Sequence, residues 1–457
     1  MNKRKFMNKG MITGELKKAT DVILKNKNIE KIFFLMEPHL KGKNNPCSVA
    51  VKTNKKVIYP YYSSLSMNCG MGLMRTNIKF SELKDKQYDL FKEIDRVTTL
   101  SQLGRLIGKD EITREELDEI LLKGIDAIPE RYFKLEKKAF EREGNLFRNK
   151  NIDRRVILDT IPKSLYGGTY REIGKNGGGN HFVEMQIVDE IYDKSSDLKK
   201  NDVLFMVHLG TGYLGDNVSS FYCNINYKLL KILYSTVVGP RFVFLKKVAF
   251  NLKRYGLRFL IKNSNLLFRN KDYQIGLEYN SKNGRDFLMA ETAALNLGYS
   301  WRYITYDKII RSLKKVIKTD FQYDLVLDKS HNSILDEKDG LYYTKNACWL
   351  KGEGDLFILP GNYTNYSYLC KAGKKLSEFD YFMDHGLGIL LKEDDSKLQL
   401  KETMMKFRRR RWIKTKEIQY SYETLENSEI THKKLKEYEK KGYFKIVARF
   451  KPKASLK

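Results

Sequence analysis

The chain holds only six histidines, at positions 39, 181, 208, 331, 385 and 432. Five of them stand in stretches that read as strand ends with Pro, Gly or Asn nearby: EPHLKG, GGGNHFVE, MVHLGTGYLG, DKSHNSILDE and MDHGLG. Any one of these is most simply a satisfied surface or core histidine. A structural imidazole has no reason to seek glycine-lined loops, however, and five together point to chemistry. If Cys69, His181, His208 and His331 converge, they form a thiolate and imidazole cluster suited to Zn²⁺ or Mn²⁺. Residues so far apart meet only through the tertiary fold, and the helical H-E-x-x-H pattern that would place ligands by spacing is absent. Asn180 and Asn332, adjacent to candidate ligands, are placed to orient a phosphate or a ligand ring from outside. His385 reads as standing apart from that cluster. Asp384, Gly386 and Gly388 flank it; the glycines leave room for a bulky substrate, and a neutral imidazole can accept a phosphoryl group as nucleophile.

Two glycine-containing stops, Gly177 to Gly179 and Pro360-Gly361-Asn362, offer backbone N–H groups to phosphate oxygens. No G-x-x-x-x-G-K-[ST] and no strand-bounded G-x-G-x-x-G occurs, which excludes P-loop and dinucleotide-binding readings. A K-x-D-G nucleotidyl-lysine pattern is also missing, so histidine is the better candidate for any covalent nucleotide. The 85 Lys and Arg against 56 Asp and Glu give a net charge of +29, spread along the chain, which favours a polyanionic partner: nucleic acid or an anionic membrane surface. Five cysteines, odd in number and without a C-x-x-C, exclude a disulfide framework and a zinc ribbon. No long apolar run occurs, so the expectation is a cytoplasmic protein in a reducing compartment.

The elements that must position these residues can be read in outline. At about 150 residues per domain, 457 residues suggest three domains or one large unit with insertions. A helix over 14–28 leads to a strand near Ile32 to Met36; strand-like pieces follow at Cys47 to Lys52 and Lys56 to Tyr61. From Ser81 to Phe147 the pattern is helical, with Thr113 and Glu116 set as a capping box. Strand alternation returns at 181–192 and 203–210, each beside glycines. Residues 284–317 read as one long helix or two in tandem, with Ala293, Ala294, Leu297 and Ser300 forming a small-residue face. The stretch 221–270 differs from its flanks, with ten Lys and Arg and no Asp or Glu. It reads as a basic, helical insertion facing RNA or a membrane, or as a helical hairpin on the main body with a solvated basic face. The domain expectation is a catalytic body of 1–220 plus 271–457 with this insertion inside it. Near the end, the run Arg408 to Arg411 adds a second basic patch.

These motifs in this order resemble the RtcB family of RNA ligases, over nearly the full length of the chain. The most specific match is GGGNHFVE at 177–184, supported by NCG at 68–70, H-x-G at 208–210, HNSILDE at 331–337, ILPGNYTNYSYL at 358–369 and HGLG at 385–388. The resemblance implies an α+β fold with mixed sheets around a central metal and nucleotide cleft, helices outside. It implies a GTP- and Mn²⁺-dependent ligase joining RNA 3′-phosphate or 2′,3′-cyclic phosphate ends to 5′-hydroxyl ends through a histidine guanylate. Carried over by position, Cys69 would bridge two metals, with His208 and His331 on one and His181 on the other. His385 would take the guanylate; Asn180, Glu184, Pro360, Gly361 and the last residue, Lys457, would contact the nucleotide. An activating protein partner is compatible with the resemblance, and the oligomeric state is left open.

The chain departs from the family at several of these points. Ser66 stands where the family has the carboxylate of D-x-G-C-G, so one or two Mn²⁺ are expected with the second bound more weakly. Gly212 and Ile389 stand where the family has phosphate-contacting arginines, and Phe382 replaces a serine. The N-terminal metal loop is displaced, as Glu37-Pro38-His39-Leu40-Lys41-Gly42. Arg75, Lys175, Lys345 and Asp384 are the candidates to compensate, although lysine does not reproduce a bidentate arginine. The alternative to a ligase is therefore an impaired protein on the same scaffold that binds RNA ends.

Overall fold

The computed structural model describes residues 3–41, 46–63, 67–99, 109–148, 153–161, 163–166, 168–176, 180–223, 252, 276–361, 365–388, 402–409, 415–422 and 426–456. Most of the 221–270 stretch therefore lies outside the described residues. So do Ser66, the glycines 177–179, Asn362, Ile389, Arg410, Arg411 and Lys457.

The fold is α+β, built on a nine-stranded sheet and a five-stranded sheet, nearly all antiparallel. The strand Gly70–Lys79 sits in the larger sheet between Asp202–Leu209 and Tyr323–Ser330, and Phe182–Ile191 pairs with the far side of Asp202–Leu209. The C-terminal strand Phe444–Leu456 pairs with Phe182–Ile191 and Ser367–Ala372. The smaller sheet contains Ile29–Leu40 and Pro46–Thr53, the first longer than its apolar core suggests because it continues through Pro38 after a register shift. Proline lacks a ladder N–H and is tolerated at such irregularities. The piece at 56–61 forms only a two-residue strand, Val57–Ile58, before a 3₁₀ turn at Pro60–Tyr62.

One helix, Lys282–Ile317, runs against the larger sheet without a break. Ser281 caps it by accepting from the Gly284 N–H at 3.0 Å, and Lys318 ends it in the left-handed region at φ 61°. It is buried nearly all round, as expected of a helix enclosed by other elements rather than lying on a surface. Ala290, Ala293, Ala294, Gly298 and Ser300 keep its surface low enough for close approach. The capping box at Thr113 forms as read: the Glu116 N–H donates to Thr113 Oγ1 at 3.1 Å, and the Thr113 N–H to Glu116 Oε2 at 2.8 Å. Among the described residues no helix is long and apolar enough to cross a membrane.

Register, rather than sequence distance, collects the site. Gly70 lies opposite both Leu209 and Ser330, while His208 lies opposite Met71 on one side and Phe182 on the other. Cys69, His181, His208 and His331 therefore all stand at one end of four adjacent strands.

Candidate active site

Cys69 Sγ lies 3.0 Å from His208 Nε2 and 3.3 Å from His181 Nε2, and His208 Nε2 lies 3.3 Å from His331 Nε2. His208 Nδ1 is 3.0 Å from the Asn180 carbonyl, which can only accept, so the ring proton is assigned to Nδ1 and the Nε2 lone pair faces the cluster. A carbonyl holding the outer nitrogen of a metal-binding histidine is the usual way such a ring is oriented. Burial dominates the titration of all four groups. It pushes His181 down to about 4 and His208 and His331 well below the ordinary imidazole value, and it pushes the Cys69 thiol up to about 12. The Arg302 charge opposes that rise at Cys69. Neutral imidazoles and a soft sulfur, with donor atoms of Cys69, His181 and His208 within 4.8 Å of one another, fit a divalent transition metal. Among the described residues, His181 Nδ1 and His331 Nδ1 are buried without a hydrogen-bond partner.

His385 does not stand apart. The short strand Phe382–Asp384 pairs with Ala347–Trp349, and the Ala347 N–H donates to the His331 carbonyl at 3.1 Å, which delivers the next residue to the cluster. The His385 ring stacks on His331 with centroids 3.5 Å apart and planes 10° apart, and lies 5.2 Å from His208. Burial first, then the Lys41 charge, lower its pKa to about 3, so the imidazole is neutral at ordinary pH. Asp384 holds backbone rather than the ring: Oδ2 accepts from the Glu37 N–H at 3.0 Å and Oδ1 from the His385 N–H at 2.9 Å. Among the described residues, a Cβ at Gly388 would meet no atom within 4 Å.

The sequence model of the family described as tRNA-splicing ligase RtcB matches residues 26–457. The chain belongs to the RtcB family. It is 26% identical to the tRNA-splicing ligase RtcB of Nanoarchaeum equitans, over 88% of this chain and 82% of that one. Against the tRNA-splicing ligase RtcB of Methanococcus maripaludis it is again 26% identical, over 73% and 67% of the two chains. RNA-splicing ligase RtcB homolog 1 of Entamoeba dispar is 27% identical over 70% of this chain and 54% of its own length.

Around this RtcB cluster the remaining expected residues fall unevenly. Asn180 is exposed, its carbonyl on His208. Glu184 is buried two residues into the strand, and its Oε1 accepts from Gln186 Nε2 at 2.7 Å. Gln186 also donates to Ser367 Oγ at 3.0 Å, and that hydroxyl accepts the Gly361 N–H at 3.0 Å. The Gly361 N–H is thus already engaged, contrary to the reading of it as a free phosphate donor. The Pro360 carbonyl accepts the Leu387 N–H at 3.2 Å, which ties this loop to the one after His385. Leu456 pairs with Val183, and its carbonyl accepts from Asn176 Nδ2 at 3.4 Å, so the last described residue of this strand lies beside the start of the Phe182–Ile191 strand; Lys457 lies outside the described residues.

Two of the proposed compensating cations are committed elsewhere. Arg75 pairs with Asp324, and Lys175 binds Glu111 and the Val97 carbonyl. Lys345 is buried with its charge near Cys47. Arg302 is the leading charge on Cys69 and His181, with Lys41, in the displaced metal-loop motif, the next cation; Lys41 also acts on His385. The vacancy at 212 is not simply refillable, because a Cβ on Gly212 would lie 2.6 Å from the Trp301 ring. Sequence reading missed Gln186, Lys41 and Arg302; the last has no local signal at all, as it sits in an ordinary helical run.

Proposed function

We propose that this chain is an RNA ligase that joins RNA 3′-phosphate or 2′,3′-cyclic phosphate ends to 5′-hydroxyl ends at the expense of GTP, with His385 as the guanylate carrier. Membership of the RtcB family, whose cited members are named as tRNA-splicing ligases, supports the ligase class. The observation that carries the mechanism is the neutral His385 imidazole, stacked on His331 at the rim of the cysteine and histidine cluster.

Cys69, His181, His208 and His331 would hold the metal, one or two Mn²⁺ ions. When bound, the metal supplies neutralisation of phosphoryl charge and alignment for in-line attack. A neutral ring nitrogen of His385 attacks the α-phosphorus of GTP; an N–P bond forms as the bond to pyrophosphate breaks. A 3′-phosphate oxygen of the RNA then takes the guanylyl group, freeing His385; a cyclic phosphate is first opened by water to the 3′-phosphate. The RNA 5′-hydroxyl attacks the activated 3′-phosphorus and GMP leaves. Asp384 keeps the His385 backbone in place throughout, and the charge of Lys41, which acts on His385, would favour the nucleotide phosphates. By their match to the family's motifs, Asn180, Glu184, Pro360, Gly361 and Lys457 would contact the guanylate, and an activating protein partner is compatible with this scheme.

The test is incubation with radiolabelled GTP and Mn²⁺. An adduct that is acid-labile and base-stable, as a phosphoramidate is, supports the reading; no adduct from folded, metal-loaded protein overturns it. A second reading, an RNA-end-binding protein, is favoured by one observation: Trp301 fills the space beside Gly212 where the family has an arginine. RNA binding without any adduct is its signature.

A further inference from the structure

We infer that Arg302 is the positioning residue of the candidate metal centre: its guanidinium, buried beneath the cluster, locks the three chain segments that carry Cys69, His208 and His331 into one geometry. The inference rests on the metal-centre part of the proposal above.

Arg302 and Asp328 are both fully buried, with side chains 0% exposed. All five guanidinium N–H groups are used. Nε donates to Asp328 at 2.8 Å, and Nη2 to Asp328 Oδ1 at 2.6 Å and Asn68 Oδ1 at 3.1 Å. Nη1 donates to the Asn68 carbonyl at 2.9 Å and the Leu209 carbonyl at 3.1 Å. Asn68 immediately precedes Cys69, Leu209 immediately follows His208, and Asp328 lies on the strand that runs into His331. One planar fork therefore reaches the backbone beside two candidate ligands and the strand carrying a third.

The surroundings are shaped to this arrangement. Asn68 is held at φ 46°, a left-handed conformation, with its carbonyl and side-chain oxygen both on Arg302. A Cβ at Gly70 would lie 2.5 Å from Arg302 Cζ, so the residue after Cys69 must be glycine for the guanidinium to fit. One helical turn on, Tyr306 donates to Asp328 Oδ2 at 2.7 Å and fixes the carboxylate. A buried ion pair is a poor device for stability alone, since well-packed apolar residues of similar volume often serve as well or better. Here the pair's remaining donors all go to chain segments bearing candidate ligands. Lysine keeps the charge but presents its donors from a single nitrogen and cannot span these acceptors.

The experiment is Co²⁺ titration of the metal-free full chain, read by visible ligand-field bands and by the thiolate-to-cobalt charge-transfer band. Arg302→Lys is expected to weaken Co²⁺ binding at least tenfold and to lower the charge-transfer intensity per bound ion. Leu313→Ala, a buried position on the same helix away from the cluster, controls for general destabilisation and should keep both. If Arg302→Lys fails to fold, Tyr306→Phe loosens Asp328 with little change in packing and should weaken binding severalfold. Wild-type affinity and band in a folded Arg302→Lys or in Tyr306→Phe would overturn the inference, as would an equal loss in Leu313→Ala. A wild-type chain that shows no charge-transfer band would overturn the metal-centre reading itself, and the inference with it.

Discussion

Gly70→Ala is the most demanding test of how the sheet and the long helix meet. Gly70 begins a regular strand and does not have a left-handed φ, so alanine brings no backbone penalty; the whole effect comes from the added methyl group. That group would lie 2.5, 2.6 and 2.7 Å from Arg302 Cζ, Nη1 and Nη2, well inside contact distance. Two responses are open. If the strand shifts, the cost is that of overpacking a core, about 1–3 kcal/mol. If the guanidinium moves, it loses charge-assisted bonds to Asn68 and Leu209, at roughly 1.5–3 kcal/mol each. Arg302 has no spare donor and no solvent to turn to, so the strand shift is the cheaper response and a loss of about 1–3 kcal/mol follows. The assay is urea unfolding of the metal-free protein, with Gly352→Ala as reference: a Cβ there meets no atom within 4 Å. The reference should stay within about 0.5 kcal/mol of wild type. Gly70→Ala with a wild-type midpoint would refute the close packing of Arg302 against the Cys69 turn.

His385→Ala should abolish the GTP adduct while Co²⁺ binding at Cys69 persists; an adduct in the variant, mapped by mass spectrometry, would reassign the nucleophile. Asp384→Ala should cost about 2–4 kcal/mol, since the buried Glu37 N–H and the partly buried His385 N–H lose their acceptor, and should slow adduct formation as the His385 backbone loses its anchor; unchanged kinetics would remove Asp384 from the site. Glu93 bridges Arg96 at 2.6 Å and Lys315 at 3.1 Å, and those cations hold its pKa at about 2, below the unfolded value of 4.5. A depressed carboxyl contributes stability that is complete above pH 4.5 and fades as pH falls towards 2. Because both cations are largely exposed, Glu93→Gln should cost only about 1 kcal/mol at neutral pH, the difference closing with acid; a constant difference in denaturation midpoint at every pH would contradict the linkage. RNA affinity should fall steeply with salt, and neutralising Arg408 to Arg411 should flatten that slope by roughly one unit per lost phosphate contact; filter binding across a salt series with no change in slope would remove that run from the interface.

Much of this protein was legible from local sequence because the relevant forces act locally. The Thr113 and Glu116 cap forms from bonds that span one helical turn. The strands Phe182–Ile191 and Asp202–Leu209 follow from apolar runs bounded by glycine or turn residues. The candidate ligands stood out by residue type and by their place at strand ends, and order of motifs alone pointed to RtcB. What the chain could not declare locally was register. Only the pairing of Gly70 with Leu209 and Ser330, and of Phe182 with His208, decides that four distant residues share one end of a sheet. His385 looked separate because nothing in MDHGLG encodes a ring stacked on His331. Arg302 looked like any helical arginine in YSWRYITY, since its burial depends on a sheet laid over that face of the helix and on glycines at 70 and 72 that make room for it and Tyr306. Side-chain type and spacing are carried by the chain itself, whereas desolvation and mutual approach exist only once distant segments have packed.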